Sequence, residues 1–324
     1  MSELDLLART FADMPPWRGD VPEGFFPNFL GTLTDREFVE IHPPSNHLLT
    51  SGDNGAETPA PGIDDGEIFF EQAAILKAVR AAEGQFTMIE LGGGFAARTV
   101  DAHAAVQRLN PLPCQFVVVE AEPTHFEWAQ RHLRTNGIDP NDHWLINAAV
   151  GIDSRPCLFM FGAGLYCNAV VSPKDAASLV EDVRRFEMAD HVMHELMMRG
   201  QCNVAVPYNT RAGQHIFNFA FVNTLPLRDI LQPLRTVDLM DIDIQGAEAW
   251  CLPPAMEMLD RKVKRIHLAT HAAEIHSALW DRFFEHEWLC EFDFAPSSHH
   301  QTPTGAFDTE DGILQLVNPR LVDP

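Results

Sequence analysis

Basic residues are scarce in this chain. Its 324 residues include 23 lysines and arginines against 46 aspartates and glutamates, which gives a formal net charge of −23. Nucleic acids and anionic membranes attract basic surfaces, because their own charge is negative. We therefore expect neither a nucleic acid nor a membrane as partner, and a small or neutral substrate fits the composition better.

Long apolar runs and paired cysteines are also missing. No stretch approaches the roughly 18 uninterrupted apolar residues that a membrane span requires, and the acidic N-terminus does not resemble a signal peptide. The six cysteines form no C-x-x-C pair and are not combined with histidines at zinc spacing. They are typical of reduced thiols, so the sequence predicts a cytoplasmic protein.

The strongest functional signal is the segment 87–94, Thr-Met-Ile-Glu-Leu-Gly-Gly-Gly. Its apolar residues predict a buried strand, and the periodicity of residues 95–109 predicts a helix directly after the glycines. A glycine turn between strand and helix lets the backbone lie against a ligand, because no Cβ intervenes and a positive φ costs little. The segment predicts a binding site for a nucleotide-like cofactor.

Two cofactor classes use such a turn, and the acidic residues separate them. The pattern Gly92-x-Gly94-x-x-Ala97 satisfies a dinucleotide motif, in which the ribose-binding acid follows about 20 residues later. Here the acid that ends the next apolar run is Glu120, which lies 120 − 92 = 28 residues after Gly92. A carboxylate at a strand end can accept hydrogen bonds from both ribose hydroxyls. A second acid, Glu90, precedes the glycines and would tolerate a sulfonium cation better than a phosphate.

Together these positions look like motifs one and two of the class I S-adenosylmethionine-dependent methyltransferases. A narrower resemblance joins three further stretches, all similar to the FkbM family: 117–126 with its Glu-Ala-Glu-Pro turn, the Asn136-Gly137 pair, and Asn-Ala-Ala-Val at 147–150. The resemblance resumes at 237–248, Val-Asp-Leu-Met-Asp-Ile-Asp-Ile-Gln-Gly-Ala-Glu. It spans about residues 87–275.

The resemblance implies an α/β, Rossmann-like methyltransferase fold: a mostly parallel central sheet with helices on both faces and an antiparallel C-terminal edge. The alternation of helix and strand after residue 65 independently favours a parallel sheet covered on both faces. We expect one methyltransferase domain over 66–324, with an insertion at about 156–236 that borders the substrate. Residues 1–65 are predicted to be an irregular extension, packed on this domain or on a partner subunit. The second alternative would make the protein a homo-oligomer.

The resemblance also implies which residues hold S-adenosylmethionine. Glu90, Gly92, Gly94 and Glu120 would contact the cofactor, and Asn147 and Ala148 would lie beside its adenine. Two departures from the family pattern stand near the presumed reaction centre. Asp241 replaces a common lysine, and Gln245 replaces a common glutamate, which removes one carboxylate.

Asp243 and His271 are the candidate catalytic residues. Each follows a predicted strand at its carboxyl end, where open α/β sheets bind their ligands, and imidazole titrates near neutral pH. They would remove the proton of an acceptor hydroxyl during methyl transfer. Alternatively, a divalent metal held by Asp241, Asp243 and His271 would acidify that hydroxyl, although the sequence shows no metal-binding motif. His271 as an ordinary loop histidine is an equal alternative.

The sequence therefore predicts O-methylation of a small-molecule or carbohydrate acceptor. Two other functions stay open: an NAD(P)-dependent oxidoreductase, and a methyltransferase-like protein that binds without catalysis. The polar segment 296–311 is predicted to be a loop that can serve as a lid.

Overall fold

The computed structural model describes residues 10–40, 56–161, 169–170, 201–210, 213–302 and 305–322. The helices, in chain order, are α1 (Arg36–Glu40), α2 (Glu67–Ala81), α3 (Ala97–Leu109), α4 (Pro123–Thr135), α5 (Leu227–Leu231), α6 (Glu248–Cys251), α7 (Met256–Lys262) and α8 (Ala273–Glu285). The strands are β1 (Trp17–Gly19), β2 (Phe25–Pro27), β3 (Leu33–Asp35), β4 (Ala56–Thr58), β5 (Phe86–Leu91), β6 (Cys114–Val119), β7 (Trp144–Ile146), β8 (Ala149–Gly151), β9 (Cys157–Phe161), β10 (Ala169–Val170), β11 (Gln201–Thr210), β12 (Gly213–Val222), β13 (Thr224–Pro226), β14 (Leu239–Ile242), β15 (Arg265–Thr270), β16 (Leu289–Phe294), β17 (Ser298–Thr302), β18 (Gly305–Thr309) and β19 (Gly312–Val317).

A seven-stranded sheet organises the molecule, with the spatial order β16-β19-β15-β14-β5-β6-β7. The strands from β15 to β7 run parallel, whereas β19 is antiparallel to both of its neighbours. Numbered by their order in the chain, these strands lie 3-2-1-4-5-7-6 from the β7 edge. A dinucleotide-binding sheet has the order 3-2-1-4-5-6. The inserted antiparallel strand gives the Rossmann-like methyltransferase fold and confirms the predicted fold class.

The core has two layers because successive side chains of a strand point to opposite faces. Met88 of β5 packs with the apolar face of α2, and the adjacent Ile89 packs with residues of α5, α7 and α8 on the other side. Every residue of β5 and of β14 is buried. This continuous apolar pattern is typical of parallel strands covered on both faces.

The N-terminal extension packs on α3 and α4. Asp101 of α3 accepts hydrogen bonds from Asn28 at 2.6 Å and from Thr32 at 2.8 Å. Asn136, directly after α4, accepts from the backbone N–H of Leu33 at 2.8 Å and donates to its carbonyl at 3.0 Å. The extension is therefore held by directed polar contacts, and part of it is regular.

Two predictions about segments outside the central sheet have different outcomes. Segment 296–311, predicted as a polar loop, contains the hairpin β17–β18, so that prediction is wrong. Its Phe307 is only 3% exposed and packs against Phe70 of α2, which supplies the apolar anchor that the polar composition concealed. The sequence also predicts a helix at 175–199, and that segment lies outside the described residues. None of the described helices has both the length and the apolar composition to cross a membrane.

Candidate active site

A cleft opens at the carboxyl ends of β5, β6 and β14, where ligands of open α/β sheets bind. It has about 560 Å³ of empty space, which includes the open solvent at its mouth. Of the residues predicted from the sequence, Gly92, Gly94, Glu120, Ala148 and Asp243 line it. The other three, Glu90, Asn147 and His271, are not among the residues that line it.

The glycine turn forms one wall of the cleft. Gly92 has φ +78°, and a Cβ on it would lie 1.7 Å from the carbonyl oxygen of Asp243. The N–H groups of Gly92 and Gly93 both donate to Val119 O at 3.0 Å. The turn after β5 is thus pressed between the ends of β6 and β14, and only glycine at position 92 allows this approach.

Glu120 lies directly after β6 and faces the cleft. It is 6% exposed, and its two carboxylate oxygens accept backbone N–H groups from Gly94 and Glu122, each at 2.7 Å. Burial raises the pKa of Glu120 to about 7. A carboxylate has about four lone-pair sites, so two remain for a ligand that donates hydrogen bonds.

Glu90 is placed differently. Its carboxylate accepts the N–H of Arg98 at 3.2 Å and both the N–H and the hydroxyl of Thr99, at 2.9 and 2.5 Å. These donors belong to the first turn of α3, whose positive dipole end favours a negative charge. Burial raises the pKa of Glu90 to about 7. Glu90 therefore fixes the helix behind the glycine turn and does not line the cleft itself.

Asn147 supports the cleft from outside. Its side-chain amide donates to the backbone carbonyls of Glu120 at 2.9 Å and of Ala121 at 3.3 Å. Asn147 is exposed, whereas the next residue, Ala148, is buried and lines the cleft. The Asn-Ala pair thus combines one residue that holds the wall with one that forms it.

Asp243 and His271 meet at the opposite side of the cleft. Asp243 follows β14, His271 follows the neighbouring strand β15, and the distance from His271 Nε2 to Asp243 Oδ1 is 3.1 Å. His271 Nδ1 is 3.0 Å from Glu248 Oε1. Asp311 Oδ2 also lies 3.6 Å from Nε2. The imidazole is therefore surrounded by three carboxylates.

These carboxylates decide the charge of His271. Burial alone would lower the pKa of its imidazole, but Asp243 and Glu248 outweigh that effect and raise the pKa to about 10. His271 is consequently a cation at neutral pH and holds no free lone pair for a proton. Burial would raise the pKa of Asp243, yet His271 and a hydrogen bond from Gln245 bring it below its ordinary value. The Asp243 side chain is 46% exposed, lines the cleft and is ionised at neutral pH.

Gln245 and His125 line the cleft, and neither was predicted from the sequence to take part in the reaction. Gln245 has φ +52°, unusual for a residue with a side chain, and its amide donates to Asp243 Oδ1 at 2.9 Å. His125, in the first turn of α4, lines the cleft on the side of Glu120. The departure of Gln245 from the family pattern was a usable signal, whereas nothing in the sequence distinguishes His125 from other helical histidines.

Asp241 lies one step deeper in the sheet than Asp243. It is 8% exposed, and burial is the main cause that raises its pKa, with Arg98 opposing the rise and the nearby carboxylates adding to it. Within the described ranges no three Asp, Glu, His or Cys side chains are grouped so that they could hold a metal ion. The alternative of a divalent metal at Asp241, Asp243 and His271 gains no support.

A chain of three polar side chains begins at Thr270, the residue before His271. Thr270 donates to or accepts from His276 Nδ1 at 2.8 Å, and His276 Nε2 is 2.8 Å from Asp293. This order of groups resembles a hydrolase triad, but Thr270 is fully buried and offers no nucleophile to a substrate. These hydrogen bonds instead connect the end of β15, next to His271, with α8 and β16.

Comparison with known proteins supports a methyltransferase. No protein-family model matches the chain. A curated protein of Jannaschia sp. (strain CCS1), provisionally named as a methyltransferase, is 24% identical over 304 residues, which cover 93% of this chain and 95% of that protein. The two chains thus correspond over nearly their full lengths.

Solved structures with a similar arrangement include a precorrin-6y C5,15-methyltransferase from Geobacter metallireducens GS-15, with 10% identity, a TM-score of 0.39, and coverage of 76% of this chain and 86% of that one. Another is the methyltransferase FkbM from Methylobacillus flagellatus KT, with 10% identity, a TM-score of 0.38, and coverage of 75% and 53%. The assignment to the FkbM family stays a prediction.

Proposed function

We propose that this protein is an S-adenosylmethionine-dependent methyltransferase that methylates a hydroxyl group of a small-molecule or carbohydrate acceptor. The observation that carries the proposal is the position of Glu120, a buried carboxylate that faces the cleft directly beside the Gly92–Gly94 turn. The full-length relative with a methyltransferase name supports the same reaction class.

The cleft residues fit such a cofactor. Glu120 would accept the two ribose hydroxyls with the lone pairs that its backbone donors leave free. Ala148 offers a small apolar contact for the adenine, and the wall behind it is fixed by Asn147. The bound cofactor would supply an electrophilic methyl group on a sulfonium.

The acceptor chemistry is divided between Asp243 and His271. Asp243 accepts the acceptor's proton as the new carbon–oxygen bond forms, and it must be ionised to do so. The His271 cation keeps Asp243 ionised and oriented, with Glu248 holding the far side of the imidazole. Efficient transfer also needs the acceptor oxygen within about 3–3.5 Å of the methyl carbon. His271 is therefore a positioning residue in this proposal, and Asp243 is the base.

Calorimetry with S-adenosylmethionine and its demethylated product tests the cofactor assignment. Glu120→Ala should weaken binding about 100-fold, because it removes two hydrogen bonds to a charged group worth about 1.5 kcal/mol each. Glu127→Ala, an exposed change on α4 with the same loss of charge, is the control and should bind as the wild type does. Binding of NAD in place of these compounds would overturn the proposal in favour of an oxidoreductase.

A second measurement tests the reaction. Turnover of a panel of alcohols, sugars and amines should appear in the wild type and disappear in Asp243→Asn, which keeps the shape of the side chain but cannot take a proton. Tight cofactor binding with no turnover on any acceptor would favour a protein that binds without catalysis. Methylation confined to amines would refute the hydroxyl assignment.

A further inference from the structure

Phe38 of the N-terminal extension lies at the centre of an aromatic cluster beside the cleft. It belongs to the five-residue helix α1, and its side chain is fully buried. Its ring is 5.3 Å from that of Phe95, with an interplanar angle of 23°, and 5.1 Å from that of Trp128. One side chain of the extension therefore contacts two different elements of the domain.

Both partners of Phe38 adjoin the cleft. Phe95 is the residue directly after Gly94 of the glycine turn. Trp128 packs against the ring of His125, with 5.2 Å between the ring centroids, and His125 lines the cleft. Phe38 is thus separated from each wall by a single side chain.

Polar contacts hold α1 in this place. The guanidinium of Arg131 on α4 lies 4.6 Å above the Phe38 ring and pairs with Asp35 at 3.2 Å and Glu37 at 2.7 Å. On the same helix, His132 Nδ1 is 2.9 Å from the carbonyl oxygen of Phe95. Because Arg131 and His132 are adjacent residues of α4, they tie α1 and the segment after the glycine turn to the same turn of one helix.

We infer that the N-terminal extension is part of the cofactor site, with Phe38 as a positioning residue that sets the glycine turn and His125 against the ligand. The inference rests on the proposed function, because it takes the cleft ligand to be S-adenosylmethionine. Its physical reason is packing. The glycines have no side chains with which to hold their own position, so the ring stacked on Phe95 restricts the segment that follows them. Without that ring, Phe95 and Trp128 would relax toward the vacated volume and carry both walls with them.

The test compares Phe38→Ala with Phe11→Ala. Phe11 lies in the same extension, is 8% exposed and packs on Phe29 and Phe69, away from the cleft. Both changes should lower the melting temperature. Only Phe38→Ala should raise the dissociation constant of the demethylated cofactor, by about 2- to 30-fold, measured by calorimetry well below the melting temperature of each variant. Phe38→Leu keeps most of the apolar volume but no ring, and should fall between the wild type and Phe38→Ala.

Hydrogen exchange gives a second measurement that a purely structural residue would not change. Linkage is reciprocal, so the cofactor should slow the exchange of residues 33–38 in the wild type and much less in the Phe38 variants. The inference is overturned if Phe38→Ala folds and binds the demethylated cofactor with the affinity of the wild type. If Phe38→Ala does not fold, wild-type affinity in Phe38→Leu overturns the inference instead. Failure of the wild type to bind either form of the cofactor refutes the proposed function instead.

Discussion

Replacing Gly92 by alanine tests the close approach between the glycine turn and the end of β14. The new Cβ would lie 1.7 Å from Asp243 O, whereas ordinary contacts begin at 3.4 Å, so the two backbones must separate. The N–H of Asp243 donates to Leu91 O at 2.9 Å, and separation weakens that bond, at a cost of about 1 kcal/mol. Overpacking adds about 1–3 kcal/mol, and a side chain at φ +78° adds about 1–2 kcal/mol.

Gly92→Ala should therefore lower the free energy of unfolding by about 3–6 kcal/mol, measured by urea denaturation. Gly137→Ala is the matched control. Gly137 also has φ +78°, but no atom lies within 4 Å of its added Cβ. It should lose only the conformational part, about 1–2 kcal/mol. A difference between the two variants of less than about 1 kcal/mol would refute the close approach, because the φ strain cancels in the comparison.

Two further predictions concern buried charges. Burial raises the pKa of Glu67 from 4.5 to about 7, so the wild type loses stability as pH rises through this interval. Glu67→Gln avoids the loss. Between pH 5 and pH 8, its free energy of unfolding in urea should rise by about 1–2 kcal/mol relative to that of the wild type. The folded pKa of His271 is raised from 6.5 to about 10, so its stabilisation is complete below about pH 6.5 and lost as pH rises through 10. At pH 7, His271→Gln leaves the fully buried Glu248 without its cation and should cost about 2–4 kcal/mol.

The His271 prediction has a control in the chain. His299→Gln removes a histidine that also pairs with a carboxylate, Asp308, but both groups are exposed, so it should change stability by less than about 0.5 kcal/mol. Equal losses at positions 271 and 299 would contradict the ion-pair network around His271. A Glu67→Gln advantage that is the same at pH 5 and pH 8 would show that its carboxylate does not titrate in this range.

The local elements near the cleft could be predicted because their signals are local. The apolar run that became β5 is followed directly by the glycines, and the apolar run of β6 is followed directly by Glu120. The spacing between Gly92 and Glu120 follows from the helix, the turn and the strand that lie between them. The pairing of Asp243 with His271 was also predictable, since both follow parallel strands and such strands end at one edge of the sheet. The hairpin at 298–309 was missed because its apolar anchor, Phe307, is a single residue in a polar segment.

Charge and burial could not be predicted in the same way. His271 was a candidate base in the sequence and is a cation in the structure, because Glu248, 23 residues earlier, folds beneath it. Glu90 had the appearance of a ligand-facing acid, yet its oxygens are engaged by the first turn of α3. In each case the decisive partner is distant in sequence or is a backbone group, which side-chain patterns do not reveal.

The sequence by itself determined the class of the sheet, the place of the glycine turn and the acid beside it, since helix and strand periods and a turn without Cβ atoms are properties of short segments. The tertiary structure alone decided which carboxylates face the cleft, that His271 is protonated at neutral pH, and that Phe38 packs on the residues next to the walls of the site. Those outcomes depend on desolvation and on contacts between segments that only packing brings together.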